Sequence, residues 1–259
     1  MSRLPKKFVD RIASRLKNFQ TIAMTARERD VSEADTVTIV KDILAELMRY
    51  DKYIELTSEQ QIRGTFCDLA VRLDGKIRFL IEVKSAGTDL NAGHLRQAVN
   101  YGANQGIEWV ILTNAVDWRV FRVRFAPHVD HEEVTSFRLA ELSARKEDDL
   151  ARLMLLAREG QASDAMNAFH QNAQILNRFV IGQMMMTEPV LNAIRKELRR
   201  LFPEVRAESQ TILDIMSHEI LKRDVIEGER VADAKARIKK SEQKLARTAK
   251  AAASSEAAP

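Results

Sequence analysis

The spacing of apolar positions along this 259-residue chain alternates between a helical period and a strand period. From Pro5 to Arg29 it is helical: Phe8, Ile12, Leu16 and Phe19 fall on one face, and Pro5 suits a first turn, so a helix is expected over 5–29. Ser32 opens a second helix as N-cap with Asp35 three residues on, and Val40, Ile43, Leu44 and Leu47 give it a buried face as far as Tyr50. Beyond it the period turns to two. Residues 53–56 are expected as a short strand and Glu59–Gly64 as a polar connection. Thr65–Leu73 and Ile77–Lys84 are apolar, β-branched runs on either side of Asp74-Gly75, a strong hairpin signal. Leu90–Asn104 returns to helical spacing, with Leu95 and Val99 facing a sheet. Trp109–Leu112 is a short run suited to a buried strand, and because a helix precedes it a parallel crossover fits. Trp118–Phe125 predicts a more exposed strand, and Val134–Leu142 a last short strand and turn. The expected core is α/β/α around a mixed sheet of four or five strands.

From about Arg145 helical spacing takes over again, in Asp148–Glu159, Ala165–Met186, Pro189–Arg200, Val205–Lys222 and the charged Val225–Lys240. Four segments are therefore expected: a basic amphipathic helix over 1–30, the mixed domain over 31–142, a helical region over 143–238, and a basic, Ala-rich tail over 239–259. The tail has little to bury and is expected to be disordered. Around Arg206–Arg230 a small helical module suited to DNA or a protein partner is expected. Met184-Met185-Met186 fits adaptable core packing better than a ligand site.

Composition narrows the classes. Apolar residues make up 45% and charged residues 30%, a globular balance, and the net charge of +4 permits a polyanionic partner. Cys67 alone gives neither an internal disulfide nor a zinc framework and suits a cytoplasmic protein. Met1–Lys17 lacks an apolar run of signal-peptide type, and no stretch reaches membrane-spanning length, so no membrane partner is expected. The absence of a GxxxxGK[ST] phosphate loop argues against ATP, and the absence of GxSxG, HExxH and a dinucleotide glycine pattern argues against the common hydrolases and oxidoreductases. Arg3, Lys6, Lys7, Arg11, Arg15 and Lys17 outnumber Asp10 on the first helix; a solvated face explains them better than a phosphate-contacting arm. His128-Val129-Asp130-His131-Glu132-Glu133 lacks zinc spacing and is expected as a solvent loop.

The candidate chemistry lies on the hairpin and the helix after it. A three-residue loop, Leu73-Asp74-Gly75, sets Arg72 opposite Lys76 and Asp68 opposite Leu80, and places Asp68, Leu80, Glu82 and Lys84 on one face. A two-residue loop with strict pairing puts Asp68 and Glu82 on opposite faces, so a shared site predicts the three-residue register. Leu69, Val71, Phe79, Ile81 and Val83 then supply core from the other face. Two acids in an apolar hairpin are rare unless paired or bound to metal, and paired carboxylates are hard ligands suited to Mg²⁺ or Mn²⁺. Lys84 stands beside them, placed to orient a water. The competing reading is an exposed Glu82–Lys84 ion pair, a strand-end Asp68, and Gln97 and Tyr101 as neighbours one helical turn apart.

Taken in order, Asp68, then Glu82-Val83-Lys84, resemble the motif of the PD-(D/E)xK nuclease superfamily. Gln97-Ala98-Val99-Asn100-Tyr101 resembles the QxxxY element of the N-terminal nuclease domain of type I restriction enzyme R subunits (HsdR). Leu112-Thr113-Asn114 with Trp118-Arg119-Val120-Phe121 resembles the "LTNG…WxxY" hairpin of that family, and Ser32-Glu33-Ala34-Asp35-Thr36 its "NEAxTR" helix start. The resemblance runs over roughly residues 30–125. It departs at Cys67 in place of proline, a position variable in the superfamily, at Val37 in place of arginine, and at Ala115-Val116-Asp117 in place of glycine.

The resemblance implies a restriction-endonuclease-like fold and Mg²⁺-dependent cleavage of DNA, in restriction or phage defence. It implies Asp68, Glu82 and the Val83 carbonyl as metal ligands, with Glu33 as a further candidate whose other role is to compensate the helix dipole. Lys84 would orient the attacking water, with Gln97 and Tyr101 in support. A homodimer or a separate restriction partner fits double-strand cleavage. The alternative is a binding module for nucleic acid or protein on a retained nuclease fold.

Overall fold

The computed structural model describes residues 4–62, 65–125 and 128–256. The chain divides into two compact units, one ending at Phe169 and the other starting at His170.

The first unit is built on a six-stranded mixed sheet. Its strands are β1 (Leu56–Ile62), β2 (Thr65–Leu73), β3 (Lys76–Val83), β4 (Trp109–Thr113), β5 (Asp117–Arg124) and β6 (Asp130–Arg138). They lie side by side in chain order, and every neighbouring pair is antiparallel except β3 and β4. That pair is parallel because α3 (Ala92–Gln105) carries the chain back between them. Among the described residues the strands number six, not four or five, because both edge segments join the sheet, and each reaches further into polar sequence than expected. β1 takes up the expected polar connection as far as Ile62, and residues 63 and 64 lie outside the described residues. β6 starts at Asp130, so most of the expected solvent loop, from Asp130 to Glu133, pairs with β5. An edge strand needs a backbone partner on one side only and tolerates water on its face, so polar residues suit it.

Helices cover both faces. α1 (Lys6–Glu28) and α2 (Glu33–Asp42) pack on one, with α2 continued by a π-helical turn over Ile43–Leu47. Phe8, Ile12, Leu16 and Phe19 of α1 are buried as their spacing predicts, in one core with Leu69, Val71, Phe79, Ile81 and Val83. α3 covers the other face in two groups. Leu95, Ala98 and Val99 meet Val110, Leu112, Phe121 and Val123, while Tyr101 meets Cys67, Ala70 and Leu80. Gly102 permits this close approach: a Cβ there would stand 2.7 Å from Val110 Cγ2. Ser32 caps α2 as expected, its Oγ accepting the Asp35 N–H at 3.2 Å. α4 (Glu147–Leu156) and α5 (Arg158–Ala162) follow the sheet, and Arg11 of α1 forms a two-pronged ion pair with Glu159.

The hairpin corrects the expected loop. Leu73 pairs with Lys76, which leaves a two-residue turn in which Asp74 and Gly75 both have positive φ, 52° and 75°. Arg72 faces Ile77, not Lys76, and Leu80 faces Ala70, not Asp68. The register then shifts: Arg72 opposes Ile77 while Val71 opposes Phe79, so Arg78 is an extra residue on β3. This bulge restores the face that the two-residue turn alone would have exchanged.

The second unit is helical. α6 (Ala165–Ile175) runs across the division, and α7 (Arg178–Met185), α8 (Glu188–Leu201), α9 (Ser209–Ile215), α10 (Arg223–Ile226) and α11 (Glu229–Glu256) follow. Leu191, Ile212 and Met216 form its small core, with Met185 packed against it and Met184 exposed. The stretch 239–259, expected as a disordered tail, lies within α11 as far as Glu256; residues 257–259 are outside the described residues. Among the described residues no helix is long and apolar enough to cross a membrane.

Candidate active site

Continuing the β2–β3 ladder one residue past Leu69↔Ile81 brings Asp68 opposite Glu82. Both carboxylates thus stand on the α3 face at the end of the hairpin remote from its turn. Asp68 is fixed there by its neighbour, since its Oδ2 accepts the Val83 N–H at 2.7 Å. Glu82 is buried to 1% exposure, and its Oε1 accepts from Lys84 Nζ at 2.7 Å. Its other oxygen, Oε2, is buried and finds no hydrogen-bond partner. Lys84 Nζ also lies 3.5 Å from Glu33 Oε2 at the start of α2. Asp68, Glu82, Val83, Lys84 and Glu33 are therefore brought to one place from β2, β3 and α2.

The charges perturb one another. Burial pushes the Glu82 carboxyl up to about 7, against the hydrogen bond from Lys84 and with the Asp68 charge adding to it. Burial acts to lower the Lys84 ammonium, but its hydrogen bond to Glu82 and the charges of Glu82, Glu33 and Asp68 outweigh this and raise it. Lys84 thus stays a cation held by acids. Cys67 next to Asp68 is buried, and burial lifts its thiol to about 12, so it remains a neutral part of the core.

Gln97 and Tyr101 pair with each other on α3, Gln97 Nε2 donating to Tyr101 Oη at 3.0 Å. Tyr101 is buried against Ala70 and Leu80, residues two positions from Asp68 and Glu82 on the same face of the strands. Gln97 is exposed. The Gln97 amide is thereby fastened to the ring that packs on the face carrying the acids.

The motif order along the chain now has a sheet, a crossover helix and a hairpin to sit on, and it matches a known family. Residues 35–137 match the model described as Type I restriction enzyme R protein N terminus (HSDR_N). The similarity is to that family and covers this segment alone. No curated protein and no solved structure matches the chain. The HSDR_N match begins at Asp35, so Glu33 and all of α1 lie before it, although both belong to the same compact unit.

An orphaned, buried carboxylate oxygen facing a second carboxylate is a fit for a hard cation, because the cation supplies the partner that Glu82 Oε2 lacks. Among the described residues no three His, Cys, Asp or Glu side chains converge as metal ligands. The available set is two carboxylates, of the kind that holds Mg²⁺ together with water and phosphate. Sequence reasoning named Asn114 only as part of the hairpin motif, without a role, and missed Arg27. Asn114 is fully buried at the β4–β5 turn, accepting from Val116 and Asp117 N–H and donating to Thr88 O. The Thr-Asn pair in the hairpin motif signals it; nothing in the spacing of α1 signals Arg27.

Proposed function

We propose that the HSDR_N unit is a Mg²⁺-dependent endonuclease that hydrolyses DNA phosphodiester bonds. The observation that carries this reading is Glu82, a buried acid with one oxygen on Lys84 and the other without a partner, opposite Asp68. A structural ion pair accounts for the first oxygen and leaves the second without a partner. Asp68, Glu82 and the Val83 carbonyl would hold Mg²⁺ or Mn²⁺, with Glu33 at its margin. When bound, the ion lowers the pKa of a water and neutralises charge on the phosphate. Lys84 holds and orients that water through its ammonium. Gln97 contacts the phosphate from α3, and Tyr101 fixes the Gln97 amide. Glu82 must give up its proton before it can act as a ligand, and the Lys84 ammonium beside it favours that.

A second reading, a binding module for nucleic acid or protein on the same fold, is favoured by one observation: Lys84 pairs with both Glu82 and Glu33 and so offsets part of their charge. Nicking of supercoiled plasmid decides between them. Wild type, Asp68→Ala and Lys84→Ala are compared with Mg²⁺, Mn²⁺ and chelator. Metal-dependent nicking lost in both variants supports the nuclease. Plasmid binding without nicking, equal in all three proteins, supports the module.

A further inference from the structure

Lys84 and α3 are joined by seven residues, Ser85–Asn91, so whatever fixes this loop fixes both the ammonium and the Gln97 amide. The loop is tied down from three sides. Asn114 Nδ2 donates to Thr88 O at 2.8 Å. Gly87 lies against Asp30, so closely that a Cβ there would stand 2.0 Å from Asp30 Oδ1. Arg27, near the end of α1, donates from Nη2 to Asp89 Oδ1 and from Nη1 to Asp117 Oδ2, each at 2.9 Å.

These ties differ in kind. Asn114 is fully buried inside the β4–β5 turn and serves the fold as well as the loop. Arg27 bridges a highly exposed acid, Asp89 at 91%, to the first residue of β5. An exposed ion pair contributes little to global stability. A two-pronged guanidinium is nevertheless a geometric constraint, because its planar fork holds two acceptors at a fixed separation. Here the two acceptors belong to the loop after Lys84 and to the strand beside β4. Lys84 N–H itself donates to Thr113 O, the last residue of β4, so the bridge closes a ring around the end of β3.

We infer that Arg27 is a positioning residue for the candidate active site, fastening the Ser85–Asn91 loop to β5 and so setting Lys84 and α3 over Asp68 and Glu82. This rests on the nuclease reading for its catalytic consequence. It also places a part of the working site in α1, before the HSDR_N match. Misplacing a catalytic group by about 1 Å can cost on the order of a hundredfold in rate. Loosening one of three ties is expected to cost about tenfold.

The test is a double-mutant cycle on the full chain with Arg27→Ala, Asp89→Ala and the pair together, plus Arg27→Lys. Three quantities are read: the maximal nicking rate of supercoiled plasmid with Mn²⁺, the protein concentration giving half that rate, and hydrogen exchange of the Thr88 amide. Arg27→Ala and Asp89→Ala are each expected to lower the maximal rate about tenfold and to speed Thr88 exchange, with half-saturation and thermal midpoint unchanged. The double variant is expected to be no worse than either single one, since both break one link. Arg27→Lys, which lacks the planar fork that spans these two acceptors, is expected to behave as Arg27→Ala. Multiplying losses in the double variant, or Thr88 exchange that none of the variants changes, would overturn the inference. An inactive wild type counts against the nuclease reading alone, and Thr88 exchange then decides the positioning.

Discussion

Asp68 and Glu82 stand opposite each other on β2 and β3 because β3 carries one residue more than β2 between the turn and the site. That residue is Arg78, and the ladder shifts at Val71/Arg72 to admit it. Without the shift, the pairing Leu73↔Lys76 continues to Asp68↔Ile81 and sends Glu82 and Lys84 into the α1–α2 core.

The turn that forces this arrangement is testable on its own. In a two-residue turn of type I′ both central residues have positive φ, and Asp74 and Gly75 do. Gly75→Ala is expected to lower stability by about 1–2 kcal/mol, the cost of a left-handed residue with a Cβ. Asp74→Gly is expected to be neutral or slightly stabilising, because glycine takes positive φ without that cost. Urea unfolding of both variants checks this. A clear loss for Asp74→Gly would point back to the three-residue loop, in which only Gly75 is left-handed.

Where the alternation of apolar residues was strong, the fold was legible. β2, β3, β4 and the faces of α1 and α3 follow from it, and Leu69, Val71, Phe79, Ile81 and Val83 do share the α1–α2 core. The edges were not legible. β1 contains Ser58-Glu59-Gln60-Gln61 and β6 begins Asp130-His131-Glu132-Glu133, and such polar strings carry no period-two signal. Their strands are held by ladder bonds to β2 and β5 and by side-chain pairs such as Arg124–Asp130, none of which a single segment reveals. The bulge was hidden for another reason. Ile77-Arg78-Phe79 reads as ordinary alternation, so nothing marks Arg78 as extra. The acids and Lys84 were legible as a set because the expected three-residue loop and the observed turn with its bulge put them on the same face, whereas Arg27 is tied to the site only through tertiary contacts.

The β4–β5 turn yields a prediction about stability. Asn114 is fully buried, and its amide oxygen accepts two backbone N–H groups while its nitrogen donates to Thr88 O. Asn114→Ala strands those three groups and is expected to cost about 3 kcal/mol, since each buried unpaired group costs about 1–3 and water relieves part. Asn114→Asp keeps the acceptor and loses the donor, so a smaller loss is expected. Denaturant midpoints of the two variants check the order.

Glu82 gives the metal-free protein a pH dependence of definite sign. Its carboxyl stands at about 7 in the folded state against 4.5 in the unfolded chain. Between these values the folded protein keeps a proton that the unfolded chain releases, so this group makes stability fall as pH rises. The gap corresponds to about 3 kcal/mol at most. Glu82→Gln removes the titration while keeping an acceptor for Lys84. The variant is therefore expected to gain on wild type between pH 4.5 and 7 and to hold that gain above it. Urea midpoints of both proteins with chelator, at several pH values across the window, check this; parallel curves would count against a raised Glu82.

Tyr101 separates the support of Gln97 from the integrity of the core. Its ring is buried with Cys67, Ala70 and Leu80, and Tyr101→Phe preserves that contact. What is lost is the hydroxyl that accepts from Gln97 Nε2, a bond whose removal costs about 1 kcal/mol of stability. Gln97 is exposed, so its amide is then free to change rotamer. If Gln97 contacts the substrate phosphate, Gln97→Ala lowers the nicking rate about tenfold and Tyr101→Phe lowers it by a smaller factor. The double variant then matches Gln97→Ala, because the hydroxyl acts only through the amide. A Tyr101→Phe loss that persists when Gln97 is already alanine would instead give the hydroxyl a contact of its own with substrate. Rates in which neither variant differs from wild type would leave α3 a structural cover and confine the chemistry to Asp68, Glu82 and Lys84.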